Sequence, residues 1–278
     1  MPCHAVAAAC GGQSNNNMQD FDYRQLVVVY EDNHIIVVVK PQNVPTQADE
    51  SGDYDMLRAV KDYLIETYHK PGDAYVGLVH RLDRPTGGVM VFAKTSKAAK
   101  RLCEQIKDNT FEKKYVCVTC AEPKTHNGNL VHYLKKDEAR NQVRIVPQLT
   151  EGAKRAELDY AVVDTVKGFS LVKVMLHTGR SHQIRVQMAS IGCPLFGDAK
   201  YGADPKTCKY PLALWAYEIR FLHPVTQEKR SFIVYPPKEE IPWRAYDISR
   251  FLNVGIAASP YERNAANIQI GSTLPERK

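Results

Sequence analysis

Hydrophobic and polar positions along this chain change period several times, and each change marks an element. Residues 26–30 and 35–40 are short apolar, β-branched runs separated by the turn-formers Glu31-Asp32-Asn33-His34, which predicts a hairpin, and Pro41 and Pro45 stop its second strand. Over residues 54–68 the apolar side chains Met56, Val60, Leu64 and Tyr68 recur every four positions, predicting an amphipathic helix that Ser51 or Asp53 is placed to cap. Residues 89–93 read as a strand, 96–107 as a helix with Ala99, Cys103 and Ile106 on one face, and 113–120 as another strand. Residues 156–165 and 169–177 predict a second hairpin around Lys167-Gly168. Ser181 is placed to cap a helix carrying Ile184, Met188 and Ile191, which Gly192 and Pro194 end. Strands follow at 212–221 and 230–235.

Strands dominate this order and sequence neighbours pair as hairpins, so the expected class is α+β with a mostly antiparallel sheet. Residues 1–20, rich in Ala, Asn, Gly and Gln without period, read as a flexible leader, 21–250 as one folded domain, and 251–278 as a polar, flexible tail. The expected leader is shorter than a folded domain, so any partner is expected to meet the main domain.

Composition adds limits. A chain of 278 residues with 44% hydrophobic residues can build a proper core. No apolar run approaches the roughly 18 residues of a membrane span, so no membrane partner is expected. Seven cysteines without regular spacing do not form a disulfide framework and point to a reducing compartment, the cytoplasm. The net charge of +6 is unevenly spread. Residues 1–79 carry 5 basic and 11 acidic groups, 80–120 carry 9 and 4, and 121–278 carry 23 and 16. A polyanion would therefore meet the later segments, beginning at His80.

Two segments concentrate candidate chemistry. In His80-Arg81-Leu82-Asp83-Arg84-Pro85-Thr86-Gly87-Gly88 one carboxylate sits among two arginines and a histidine just before a strand, surroundings that hold Asp83 ionised. A turn aspartate tied to Arg81 or Arg84 is the plainer reading of the same residues. In residues 176–187 a strand end passes through Gly179 into a helix, with Arg180, His182 and Arg185 at its start, a natural setting for an anion. Arg185, beside the buried Ile184 face, needs a carboxylate: Asp83, or else Glu157 or Asp159 of the hairpin. Tyr115 follows Lys113 and Lys114 in a strand and reads by itself as a half-buried β residue.

Taken together the ordered motifs resemble the RluA class of pseudouridine synthases. His80 to Gly88 match its His-Arg-Leu-Asp-x-x-Thr-Ser-Gly segment except for Gly87, and Thr178 to Arg185 match its Thr-Gly-Arg-x-His-Gln-Ile-Arg segment throughout. Gly192, Pro194, Gly197-Asp198, Tyr201-Gly202, Tyr30-Glu31-Asp32, Lys40-Pro41, Lys113-x-Tyr115 and Phe221-x-His223-Pro224 follow family order. The departures are Gly87 for serine, Gln187 for a common histidine, and Trp215 within the usual Leu-His-Ala. The resemblance implies a pseudouridine synthase catalytic domain with flanking helices and a central active-site cleft, acting without cofactor or metal on ribosomal or transfer RNA as a monomer. It implies Asp83 as catalytic carboxylate, Tyr115 stacking on the target base and helping to remove its C5 proton, and Arg185 pairing with Asp83. Arg81 would fill the space of a flipped nucleotide and Leu214 would line the base pocket. His80, Arg84, Thr86, Arg180 and His182 are expected to meet the RNA. The target must leave its stack, and water must be kept from the opened site.

Two other readings are weighed against this one. Cys117-Val118-Thr119-Cys120 has the residue types of a metal site, but residues three apart in a strand face opposite ways. A non-catalytic RNA chaperone or assembly factor on the same scaffold would show loss of Asp83 or Tyr115, and both are present.

Overall fold

The computed structural model describes residues 21–202 and 209–253. The expected leader and nearly all of the expected tail lie outside these. Among the described residues the strands are β1 (Val27–Glu31), β2 (Ile35–Lys40), β3 (Gly77–Leu78), β4 (Gly87–Ala93), β5 (Glu112–Thr119), β6 (Asn127–Asp137), β7 (Gln142–Val146), β8 (Lys154–Val166), β9 (Phe169–Leu176), β10 (Leu214–Leu222) and β11 (Lys229–Ile233). The α-helices are α1 (Met56–Tyr68), α2 (Ser96–Lys107), α3 (Gln183–Ser190) and α4 (Ile248–Asn253). The strands form one mixed, mostly antiparallel sheet in the order β1-β2-β4-β10-β5-β9-β8-β6-β7, with β3 on β4 and β11 on β10. This is the α+β class that the strand pattern predicts.

The seam of the sheet is its parallel contact, β4 with β10, which shares one edge of β10 with β11 and is only two residue pairs long, Gly87 with Trp215 and Gly88 with Ala216. The glycines allow it. A Cβ on Gly88, whose φ is +130°, would lie 2.2 Å from the Ala216 carbonyl oxygen, and one on Gly87 would lie 2.2 Å from Cζ3 of Trp215. The paired glycines thus serve close approach of the two halves.

On one face, Met56, Val60 and Leu64 of α1 share a core cluster with Ile36, Val38, Met90 and Phe92, and Ile184 and Met188 of α3 join it with Tyr115, Cys117, Leu158 and Val172. On the other, Ala98 and Leu102 of α2 cluster with Ile35, Val37, Val89 and Val91, while Trp243, Ile248 and Leu252 cover Val116, Val118 and Trp215. Alternate residues of each strand therefore serve opposite layers. Cys117 and Cys120 fall in different clusters, as that period requires.

Several local expectations are corrected. Asp55, not Ser51 or Asp53, caps α1 by accepting from the Arg58 N–H at 3.0 Å, because Ser51 and Asp53 are turned to Arg84. The buried face of α2 runs through Ala98 and Leu102, and Cys103 is exposed: a sulfur side chain counted as apolar shifted the stripe by one residue. Ser181 does not cap α3. The Gln183 side chain ties that turn instead, its Oε1 accepting from Arg180 N–H at 3.0 Å and Thr178 Oγ1 at 2.8 Å. Helix α4 continues through Asn253 with Leu252 buried, so packed structure extends past Phe251. Strands β6 and β7 are not among the expected elements: β7 alternates Val143 and Ile145 with Gln142 and Arg144 over only five residues, and in β6 the face of Leu130 and Leu134 also carries Gly128, His132 and Lys136.

Candidate active site

The loop before β4 is held by its carbonyls. Leu82 O accepts from Thr46 Oγ1 at 2.9 Å, Asp83 O from the Thr86 N–H at 2.9 Å, and Arg84 O from the Asn43 N–H at 2.8 Å. Pro85 O accepts from Gln42 Nε2 at 2.9 Å, and Lys40 Nζ donates to Pro41 O, Arg84 O and Thr86 O at 2.9, 2.9 and 2.8 Å. Five consecutive carbonyls, 82 to 86, are thus fixed by donors from residues 40–46 and the loop itself. The Lys40 ammonium is fully buried, and burial pulls it down to about 7 against the opposing charge of Asp83. Such lacing leaves the Asp83 side chain as the free end of a rigid turn.

That side chain lines a cleft of about 1150 Å³, which the Thr178–Arg185 segment, Tyr115 on β5 and Leu214 at the start of β10 also line. The cations around Asp83 are not its sequence neighbours. Arg84 is committed to Asp49, Ser51 and Asp53, and Arg81 is exposed. Arg185 comes instead, with Nη1 3.9 Å from Asp83 Oδ2.

Asp83 is only the looser partner of Arg185, and neither Glu157 nor Asp159 is the tighter one. Its Nε and Nη2 bind Asp198 Oδ2 and Oδ1 at 2.8 and 2.7 Å, a bidentate pair in which the Asp198 side chain has no exposure. Burial would lower the guanidinium, but the hydrogen bonds and charge of Asp198, then the charge of Asp83, raise it further. Its carbon lies 5.1 Å from the ring centre of Tyr201. Tyr201 Oη in turn accepts from the Val143 N–H at 2.8 Å and lies 2.6 Å from Nδ1 of His182, whose backbone has a left-handed φ of +52°. Asp198 and Tyr201 are the residues that the sequence reading passed over. Their signal in the sequence is the Gly197-Asp198 and Tyr201-Gly202 pair of matches, which names no chemistry by itself.

The remaining expected residues divide. Tyr115 is buried, and burial with the nearby charge of Asp83 pushes its phenol well up, so it stands in the cleft as a neutral ring. Leu214 is buried beside it in the same core cluster. Thr86 is buried with its Oγ1 unpartnered among the described residues. His80 is not a cation near Asp83: its Nε2 accepts from the Val91 N–H at 3.2 Å, it lies against Phe111, and burial together with Lys113 pushes it down to about 3. Arg180 is exposed at the rim and donates through Nε to Arg155 O at 2.9 Å. The cleft thus offers a fixed carboxylate, a braced guanidinium, a neutral aromatic ring and an apolar wall, which suits an uncharged base and a charged backbone.

No helix among the described residues is long and apolar enough to cross a membrane. Residues 34–190 match the RNA pseudouridylate synthase family. The chain is 32% identical over 210 residues to an uncharacterized RNA pseudouridine synthase, YhcT, of Bacillus subtilis, covering 74% of this chain and 67% of that protein. It is 30% identical over 254 residues to ribosomal large subunit pseudouridine synthase D of Zymomonas mobilis, covering 86% and 77%. The solved structure of human RNA pseudouridylate synthase domain containing 4 shares the fold, with a TM-score of 0.64 at 21% identity over 76% of this chain and 89% of that one. With these motifs in one cleft and relatives aligned along most of its length, the chain belongs to the RNA pseudouridylate synthase family, in its RluA class, and is an enzyme that isomerises uridine in RNA.

Proposed function

We propose that this enzyme converts a uridine of ribosomal RNA to pseudouridine with Asp83 as the carboxylate of the chemical step, Tyr115 as the surface on which the target base stacks, and Arg185 as the group that orients Asp83. The observation that carries the reading is the fixed loop: a carboxylate held at every neighbouring carbonyl and faced by Arg185 at 3.9 Å is preorganised for one geometry. The reaction breaks the N1–C1′ bond, turns the uracil and forms C5–C1′, while a proton leaves C5 and one arrives at N1. Nothing is oxidised or hydrolysed, so the residues need only supply a carboxylate, a stacking surface and exclusion of water. A neutral Tyr115 suits stacking, and it can take the C5 proton only by giving up its own. Ribosomal RNA is chosen over transfer RNA because a relative covered over 77% of its length is named for the large ribosomal subunit.

The test is unmodified RNA from a strain lacking the gene, incubated with wild type or Asp83→Asn and mapped by pseudouridine-specific chemistry. Wild type should yield discrete new positions in ribosomal RNA and Asp83→Asn none. Equal background signal with both proteins would favour a non-catalytic RNA chaperone.

A further inference from the structure

Neither the chemical step nor the core accounts for Lys113. It stands two residues before Tyr115 on β5, so both side chains leave the same face of the strand, and both line the cleft. Its Nζ lies 3.3 Å from the point where a Cβ on Gly179 would sit. The ammonium is therefore seated against the bare backbone of the Thr178-Gly179-Arg180 turn, in a space that any other residue at 179 would crowd.

The electrostatics of this seat set it apart from the cations around it. Lys114 is matched by Glu218 and Glu112, Arg185 by Asp198 and Arg84 by Asp49 and Asp53, while the buried Lys40 donates to three carbonyls. Lys113 is lowered by burial, and no charge among the described residues offsets it. Its neighbour His80 is neutral, with Nε2 committed to the Val91 N–H. Exposed Arg81 and Lys107 line the same cleft. A partly desolvated point charge without a partner costs stability until an anion returns the lost solvation. RNA brings such an anion at every nucleotide, and lysine binds phosphate as a point charge.

We propose that Lys113, seated against Gly179, is a subsite for one phosphodiester group of the RNA, beside the place where Tyr115 and Leu214 receive the target base. The subsite rests on the reading of that place as the base pocket, while its test needs binding alone. It positions the backbone of the flipped nucleotide or its neighbour and takes no part in bond breaking.

The experiment is equilibrium binding of labelled single-stranded oligouridine across a range of KCl concentrations. Wild type, Lys113→Met, Lys113→Arg and Gly179→Ala are compared, each with Asp83 intact and with Asp83→Asn. Lys113→Met should lose about 0.7 from the slope of log affinity against log salt, the value of one phosphate on a single strand. Its Kd should rise about tenfold. Lys113→Arg should keep the slope, and Gly179→Ala should weaken binding in the same direction. The thermal midpoint of Lys113→Met should equal or exceed that of wild type, because an unmatched buried charge has been removed. A structural role predicts a lower one. An unchanged slope and Kd in Lys113→Met overturns the proposal. Should Asp83→Asn still convert uridine, the role of Asp83 falls while the slope result stands or fails on its own.

Discussion

Restoring the serine that the family carries at position 87 should damage this protein, and the structure says by how much. In Gly87→Ser the new Cβ would lie 2.2 Å from Cζ3 and 2.6 Å from Cε3 of Trp215, and 3.0 Å from Cγ of Gln42. Neither neighbour yields easily. Trp215 is buried with Nε1 donating to Val234 O at 2.9 Å, and Gln42 Nε2 donates to both Pro85 O and Leu212 O. Overpacking of this kind costs about 1–3 kcal/mol. That should appear in a thermal melt as about 2–4 °C per kcal/mol. Displacing Gln42 also releases the Pro85 carbonyl two residues from Asp83, so turnover should fall with the midpoint. Trp215→Leu destabilises by itself through the cavity it leaves, yet it opens the space. In that background Gly87→Ser should be nearly neutral, within about 0.5 kcal/mol. Denaturant melts of the two single variants and the double variant close the cycle. If the cost of Gly87→Ser is the same with Trp215 and with leucine, the two departures from the family pattern are independent and the reasoning fails.

Three further outcomes are expected. Arg185→Ala leaves the buried Asp198 carboxylate without its bidentate partner, at a cost of about 3–5 kcal/mol in urea melts. Asp198→Asn should lower turnover about a hundredfold with Arg185 intact, since the guanidinium loses its anchor; full single-turnover activity in Asp198→Asn would show that Arg185 needs no bracing. His80 gives a pH signature. Its folded value of about 3 lies below the ordinary 6.5, so the unfolded chain takes the proton first. Its contribution is complete above about pH 6.5 and is lost as pH falls toward 3, by at most about 1.4 kcal/mol per pH unit. Urea melts at pH 7 and at about pH 4.5 should show that loss in wild type and a smaller one in His80→Gln. Equal losses would place the acid sensitivity in other groups.

The chain by itself determined the hairpins, α1 and α2, the α+β class and the residues that carry the motif. These depend on local period and turn chemistry, which contacts far along the chain do not alter. It also named Asp83, Tyr115, Leu214 and Arg185, which the fold brings to one cleft. What it assigned by proximity in sequence went astray. Arg84 and His80, close to Asp83 in sequence, turn to Asp53 and Val91, while the charge facing Asp83 arrives from residue 185 and is braced by residue 198. Strands β6 and β7 were not legible because the alternation of β7 lasts only five residues and the inner face of β6 mixes Leu130 and Leu134 with Gly128, His132 and Lys136, so their place is set by the strands they pair with. The role of the glycine pair belonged to tertiary structure as well: space at Gly87 is defined by Trp215, 128 positions later, across a parallel contact that no local pattern encodes. Local sequence sets which backbone each segment prefers, but partners for charge and volume are chosen by distance in space.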